Sequence, residues 1–402
     1  MEGTDNIIAR EFKPDELEKG LELRNKIFPP ITPEDWKKKG PGTASIAFDG
    51  DEVVGFIPLA FRTFKLAPGA TITAAFENAV GTREDYRGRG VGTAMIEAAS
   101  QFLKGRADAL FVYRGGERSK AYNFYSKTGH IDLLYTRYFT GDNSIARSHD
   151  DVHISYGLNE ILKHQKELFR VFEETYYAYG GFPLRHERYW ERALTSPIYT
   201  IRPTDFYLFK LVERGQLTAY ILAGIRRDLQ NSKLQILEMG ACGLDERRIK
   251  TLLESAGALS AGKDLEGISI LTGDSNPFID VLVNLNFKPG SRNLQTMSFS
   301  FDSKAIFEKV WNARMVLPGV EVKIFTPKQD FTLLEGYGEN YRSVTLEMKE
   351  ETLTRWVMGR LDFKARVREG TITVVNGNDR IVDAIANIIP IYDWEYHNID
   401  FI

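Results

Sequence analysis

Cysteine occurs once in the 402 residues, at position 242, which excludes an intramolecular disulfide and suits a reducing compartment. An excess of one charge is also missing: 52 basic residues stand against 55 acidic ones, and a formal net charge of −3 gives no charge-driven affinity for nucleic acid or a membrane surface. No apolar run reaches the roughly 18 residues of a bilayer span. Residues 1–6 are acidic and polar, unlike a secretory leader. A cytoplasmic protein, with no nucleic-acid or membrane partner, is the expectation. His149 and His153 have the i, i+4 spacing of a metal-binding pair, yet they lie in a polar stretch without a third ligand, and no metal is expected. Cys242 has no neighbouring histidine or basic helix to activate it and reads as a small packed residue.

The chain is 43% hydrophobic and 27% charged. At about 150 residues per domain its length accommodates two or three cores. The most informative stretch is Tyr86-Arg-Gly-Arg-Gly-Val-Gly-Thr93. An extended apolar run at 75–82 leads into it, and a helical stripe of Met95, Ile96, Ala99, Phe102 and Leu103 leads out, predicting a helix over 93–104. Glycines at this junction let backbone N–H groups approach a phosphate, and the positive end of the following helix favours an anion. The stretch lacks the Gly-Lys-Ser/Thr ending of a Walker loop and the G-x-G-x-x-G order of a dinucleotide fold. A second apolar strand is expected at 109–113, followed by Ala121-Tyr-Asn-Phe-Tyr-Ser-Lys-Thr-Gly129.

Arg87, Gly90 and Gly92 match the Arg-x-x-Gly-x-Gly signature, and Ala121, Tyr125 and Gly129 the closing helix, of the GNAT superfamily of N-acetyltransferases, which residues 7–140 resemble. The resemblance implies acetyl-coenzyme A as co-substrate, without a metal. It implies that Gly88, Gly90, Val91, Gly92 and Thr93 hold the pyrophosphate, with Arg87 and Arg89 adding charge. The backbone of Val80, Gly81 and Thr82, eased into a bulge by Gly81, would bind the pantetheine arm and polarise the acetyl carbonyl. Ser119 and Lys120 would touch the cofactor, although the asparagine of many relatives is here Arg118. Tyr125 is the expected general acid; the alternative is that it merely packs, as Tyr122 and Phe124 are expected to.

Beyond a polar linker at 141–152, the plan repeats: a helix at 159–179, strands at 206–212, 217–225 and 234–241, a helix at 245–260, a strand at 267–271 and a helix at 276–285. Setting Gly129-His130 against Asn286-Phe287 aligns the two copies and puts Leu282 opposite Tyr125. Residues 239–246, Met-Gly-Ala-Cys-Gly-Leu-Asp-Glu, carry no Arg-x-x-Gly-x-Gly, so this copy is expected to wall the cleft rather than react. The last hundred residues read as strands at 320–325, 331–337 and 341–348, with a hairpin turn over Gly336, Gly338, Glu339 and Asn340. A helix at 352–358, a strand at 371–376 and a helix at 379–388 ended by Pro390 follow.

A tandem pair followed by such a unit resembles the Eis (enhanced intracellular survival) type of acetyltransferase, with echoes at 182–190, 359–363 and 398–402. The implied fold is α+β (mixed α/β): tandem GNAT folds at 1–145 and 146–298, then a sterol-carrier-like domain at 299–402. The resemblance also implies a homo-oligomer, a hexamer, and a terminal carboxylate, here that of Ile402, acting as base in the cleft. Glu77, on the expected fourth strand, is the rival base; the alternative is a solvated strand residue or a partner for a nearby arginine. Tyr392, Trp394, Tyr396, Phe401 and Ile402 make the stretch after Pro390 too apolar for a free tail. Trp36 lines the acceptor cleft or a core, and Tyr176, Tyr177, Tyr179 and Phe182 are expected to pack between domains. The acceptor is a primary amine, of a small molecule such as an aminoglycoside or polyamine or of a peptide lysine. A reading from another class is a non-enzymatic protein holding an apolar ligand in its last domain.

Overall fold

A computed structural model describes residues 7–38, 40, 42–113, 120–195, 205–225, 233–311, 318–336 and 341–400. The first part runs β1 (Ile7–Glu11), α1 (Leu17–Ile27), α2 (Pro33–Lys38), β2 (Gly42–Asp49), β3 (Glu52–Ala67), β4 (Ala70–Glu77), β5 (Gly81–Thr82), α3 (Val91–Leu103), β6 (Ala109–Tyr113), α4 (Lys120–Lys127) and β7 (Ile131–Gly141). Helix α3 forms where its apolar stripe predicts, burying Val91, Met95, Ile96, Ala99 and Leu103 against the sheet.

The second part repeats this order with β8 (Val152–Tyr156), α5 (Leu158–Leu162), α6 (Gln165–Thr175), β9 (Phe182–Pro183), α7 (Tyr189–Thr195), β10 (Asp205–Glu213), β11 (Gln216–Ile225), β12 (Leu234–Ala241), α8 (Glu246–Gly262), β13 (Ile268–Gly273), α9 (Ile279–Asn284) and β14 (Lys288–Ser300). The single helix expected at 159–179 is two, because a tight closure from His164 N to Ile161 O, 3.0 Å, ends α5 before α6 begins. Helices α4 and α9 close alike. His130 N reaches Tyr125 O at 3.0 Å and Phe287 N reaches Leu282 O at 2.9 Å, each through a left-handed residue, Gly129 (φ +90°) or Asn286 (φ +60°).

Among the described residues both parts share one 14-stranded sheet with the path β1-β2-β3-β4-β6-β14-β7-β13-β12-β11-β10-β8, β5 and β9 pairing with β3 off this path. The two parts exchange strands at its centre. Strand β14 lies between β6 and β7, with Met297 opposite both Val112 and Asp132, while β7 pairs with β13, Ile270 opposite Phe139. Neither half closes its own sheet. No strand is expected at 288–300 from the residues alone, for a chemical reason: Pro289 and Gly290 disfavour a regular strand, the first five residues are exposed, and the register shifts three times along the β7 ladder.

The third part comprises α10 (Ser303–Val310), β15 (Val320–Phe325), β16 (Asp330–Leu334), β17 (Arg342–Glu347), α11 (Glu350–Val357), α12 (Phe363–Arg368), β18 (Thr373–Val375) and α13 (Asp379–Ala386). Its sheet order is β16-β15-β17-β18. The hairpin expected between the second and third strands does not form. The apolar face of β15 pairs parallel with β17, Val322 beside Val344 and Ile324 beside Leu346, and so separates β16 from β17; Gly338, Glu339 and Asn340 lie outside the described residues. Trp311, Trp356, Val322 and Leu346 form one buried cluster with Phe64, Phe76 and Phe111 of the large sheet, so this unit packs on that sheet. The residues after α13 then leave it: Trp394 bridges Gly180, and His397 bridges Thr272 on β13.

Candidate active site

Strands β4 and β6 run parallel only as far as Glu77 opposite Val112. Past that pair the β4 line bulges. Glu77 faces Leu59 and Gly81 faces Phe56, so Asn78, Ala79 and Val80 stand against only Pro58 and Ile57, with Ala79 in the left-handed region at φ +50°. Asn78 N to Pro58 O and Arg83 N to Val54 O, both 2.9 Å, tie the bulged segment to β3 on its other side. Gly81 has a packing reason as well, since a Cβ there would stand 3.2 Å from Ile27 of α1. The result is a fork between β4 and β6. Tyr125 of α4 sits there, 6% exposed, in a cluster with Val80, Val112, Leu294 and Met297.

At the head of α3, Gly88 (φ +79°) and Gly90 (φ +82°) are left-handed, and Gly90 is the N-cap without any side-chain cap. The first helical bond is Ala94 N to Gly90 O, 2.9 Å, so the N–H groups of Val91, Gly92 and Thr93 point out of the helix end. The missing side chain of Gly92 has a packing reason: a Cβ would meet the Phe124 ring at 2.9 Å, so this glycine lets α3 and α4 touch. Val91 buries its side chain in the core, while Thr93, Arg87 and Arg89 are exposed. The Arg89 guanidinium lies 5.0 Å from the Tyr86 ring, whose hydroxyl donates to Asp49. Thr82 pairs with Gly55. Lys120 opens α4, but its side chain, Ser119 and Ile402 lie outside the described residues. Thr93, Glu97, Tyr122, Ser126, His130 and Arg355 help line an adjoining groove of about 1040 Å³.

Beneath Tyr125 lies a pair that sequence reasoning half missed. His130 Nε2 is 3.0 Å from Glu77 Oε1, both side chains fully buried, and the His130 ring meets Tyr125 edge-on at 5.1 Å. The Thr128 hydroxyl lies 2.9 Å from Tyr125 O and 3.0 Å from His130 Nδ1, so Glu77, His130 and Thr128 form one hydrogen-bonded chain that closes back on the Tyr125 backbone.

The second half has the same fork with different contents. Strands β12 and β13 pair only to Ile236 opposite Ile270, and β12 bulges at Leu237, the extra residue between Ile236 and Glu238. At the head of α8 the Asp245 carboxylate accepts from Arg247 N (2.9 Å) and Arg248 N (3.4 Å). Leu282 stands where α4 has Tyr125. The fork itself holds residues 394–400. Glu395 Oε1 accepts from Gly273 N at 3.0 Å and from the Thr272 hydroxyl, and burial pushes its carboxyl up to about 7. The His397 ring lies 4.4 Å from that of Tyr176, and burial together with Arg185 drives its imidazole well below the ordinary range. Arg185 bridges Asp400 and Glu238; Tyr189 donates to Asp400 at 2.6 Å, and Trp190 and Tyr220 donate to Glu238 at 2.7 and 2.8 Å.

Of the remaining residues singled out, Phe182 and Tyr176 pack around His397, and Tyr177 is exposed. Trp36 packs on Phe12 and Phe56, each at 6.0 Å, and lines a small cavity with Asn78 of the bulge. His149 bonds Glu254 at 2.7 Å while His153 lies on β8, so their spacing is not helical. Cys242 is half-buried with its thiol pushed up by burial and accepts from Arg170 at 3.4 Å.

Residues 6–130 match the model of the acetyltransferase (GNAT) family, whose members use acetyl-coenzyme A. No curated protein sequence matches the chain. Among solved structures, a probable N-acyltransferase from Enterococcus faecalis superposes with a TM-score of 0.73 at 12% identity, covering 97% of this chain and 99% of that one. A GCN5-related N-acetyltransferase from Kribbella flavida gives 0.65 at 14% identity over 97% and 98%. The Eis1 protein of Mycobacterium abscessus gives 0.64 at 14% identity over 95% and 97%. The fold is the mixed α/β GNAT fold, and the likeness extends through the third unit.

Proposed function

We propose that the chain transfers the acetyl group of acetyl-coenzyme A to a primary amine at one site per chain, in its first half. The observation that carries this reading is the uncapped, left-handed Gly90 terminus of α3 beside a fork that holds Tyr125. The N–H groups at Val91, Gly92 and Thr93, with Gly88, Gly90, Arg87 and Arg89, would hold the pyrophosphate, and Ser119 and Lys120 its far side. The bulge backbone at Val80, Gly81 and Thr82 would hold the pantetheine arm and stabilise the carbonyl oxygen as charge develops on it. Attack by the neutral amine forms the C–N bond, the C–S bond breaks, and Tyr125 gives its proton to the departing sulfur. The amine's proton goes to the carboxylate of Ile402; Asp400, two residues earlier, lies close enough to the Tyr113 phenol at the end of β6 to join burial in raising its pKa.

We read residues 299–402 as sterol-carrier-like, which the four-stranded sheet with flanking helices supports. Its interior is filled by Trp356, Phe363, Val344 and Leu346, which favours the enzyme over a carrier of an apolar ligand. We further infer a homo-oligomer, a hexamer by the same likeness.

Thiol release from acetyl-coenzyme A in the presence of polyamines, aminoglycosides and lysine peptides tests the activity. Gly90→Val tests the site. Valine resists the left-handed conformation that Gly90 adopts, so acetyl-coenzyme A affinity measured by calorimetry should fall by about 100-fold while the fold survives. Unchanged affinity would move the cofactor away from α3.

A further inference from the structure

The fork of the second half is filled by protein, and the filling is built rather than incidental. Segment 394–400 enters through Gly180 and Gly181, where there is no room for a side chain: a Cβ on Gly180 would stand 2.1 Å from Leu66 O, and one on Gly181 2.6 Å from Trp394 Cβ. Glu395 N donates to Gly180 O at 2.9 Å and Trp394 Nε1 to Leu66 O at 2.9 Å, so the segment is tied to β3 of the first half as well. Its next residues occupy the cleft past Ile236 and Ile270, with His397 bridged to Thr272. On its other side Tyr396 meets Tyr113 at 5.7 Å, and Tyr113 in turn meets Phe76 of β4 at 5.1 Å. One segment therefore plugs the second fork and borders the first.

The fixed point is Arg185. Its guanidinium is fully buried, bridges Asp400 and Glu238, and lies 3.9 Å from the Tyr189 ring and 4.4 Å from that of Phe172. A desolvated guanidinium is tolerated because two carboxylates flank it, and removing it strands both of them. We infer that Arg185 is a positioning residue for the transfer reaction: by clamping Asp400 against Glu238 it keeps segment 394–400 in the second fork and holds Tyr396 of that segment against Tyr113 at the border of the first. This rests on the proposed acetyl transfer in the first half.

The test uses the full chain with Arg185→Met, which keeps the length of the side chain without its charge, and Asp400→Asn, which keeps the shape of the partner. Amide exchange of residues 394–400 should speed up by about 100-fold in Arg185→Met and by less in Asp400→Asn. With a good amine acceptor, kcat should fall more than about tenfold in Arg185→Met, while acetyl-coenzyme A still binds once per chain with a Kd within about twofold of wild type. Arg185→Lys, which keeps one cation, should restore part of kcat. A role confined to overall stability would not separate kcat from cofactor Kd. Two acetyl-coenzyme A molecules per wild-type chain would overturn the inference. So would exchange at 394–400 that is no faster in either variant of an active protein, and this result leaves the proposed function intact. Wild-type protein inert with every amine would overturn both.

Discussion

The two halves of the large sheet share a fork, a bulge and a helix that begins at the fork, yet they handle that helix end in opposite ways. At α3 the N-cap is Gly90, left-handed and without a side chain; at α8 it is Asp245, whose carboxylate accepts the first N–H groups. A carboxylate of the chain thus takes the place that an exogenous anion would have. The fork beside α3 holds Tyr125, and the fork beside α8 holds Leu282 and the segment 394–400. The two halves therefore differ at one N-cap residue and in what the rest of the chain lays into the adjoining fork. The exchange of β7 and β14 ties the two halves into one sheet even though their forks hold different residues.

The largest effect that separates the halves should come from Tyr125→Phe. Loss of a positioned acid lowers turnover by about 10²- to 10⁴-fold. Packing in the fork is nearly conserved, so acetyl-coenzyme A affinity should hold. A variant of normal turnover would make the Tyr125 fork as inert as the Leu282 fork and move the acid elsewhere.

Next in size is the choice of base. Adding a few residues after Ile402 should lower kcat by about 10- to 100-fold with little effect on acetyl-coenzyme A affinity. Glu77→Gln, which leaves His130 a partner of the same shape, should act mainly on stability. Steady-state kinetics of both variants with one amine decides it: full activity in the extended chain with Glu77→Gln inactive would reverse the assignment.

Burial of Glu395 in the second fork predicts a pH effect of middling size. Its folded pKa, about 7, lies above the ordinary 4.5, so its contribution is fully present below pH 4.5 and is lost as pH rises through 7. The loss is on the order of 3 kcal/mol. Glu395→Gln cannot lose a proton, so the melting temperature of the variant relative to wild type should rise between pH 5 and 8. A flat difference would mean that water reaches the fork.

The parts legible in the sequence were those written in adjacent residues. Gly88, Gly90 and the apolar stripe of α3 sit within one short stretch, as does the α4 helix that closes through Gly129. The apolar stretch after Pro390 also announced its burial, with Trp394 and Tyr396 at 0% and 1% exposed. What escaped was pairing over distance. His130 and Glu77 are 53 residues apart and Arg185 and Asp400 215 apart, and nothing local marks either partner. Strand β14 was hidden by Pro289 and Gly290, and its insertion between β6 and β7 depends on unmatched ladders that only the assembled sheet presents.

The smallest expected effect tests whether the N-cap alone decides the fate of a half. Asp245→Ala removes the carboxylate from α8 and should cost about 1 kcal/mol of stability, the usual loss for an N-cap aspartate. It frees the N–H groups of Arg247 and Arg248, bonded at 2.9 and 3.4 Å in the native chain, for an outside anion. Even so, calorimetry should still count one acetyl-coenzyme A per chain. The reason is that Glu395 and His397 keep the adjoining fork closed, through Gly273 N and the bridge to Thr272, independently of the cap. A second, weaker acetyl-coenzyme A in Asp245→Ala would mean that the cap guards the site and the segment yields to a ligand; only inorganic phosphate binding would mean that the helix end is competent while the thioester slot stays filled.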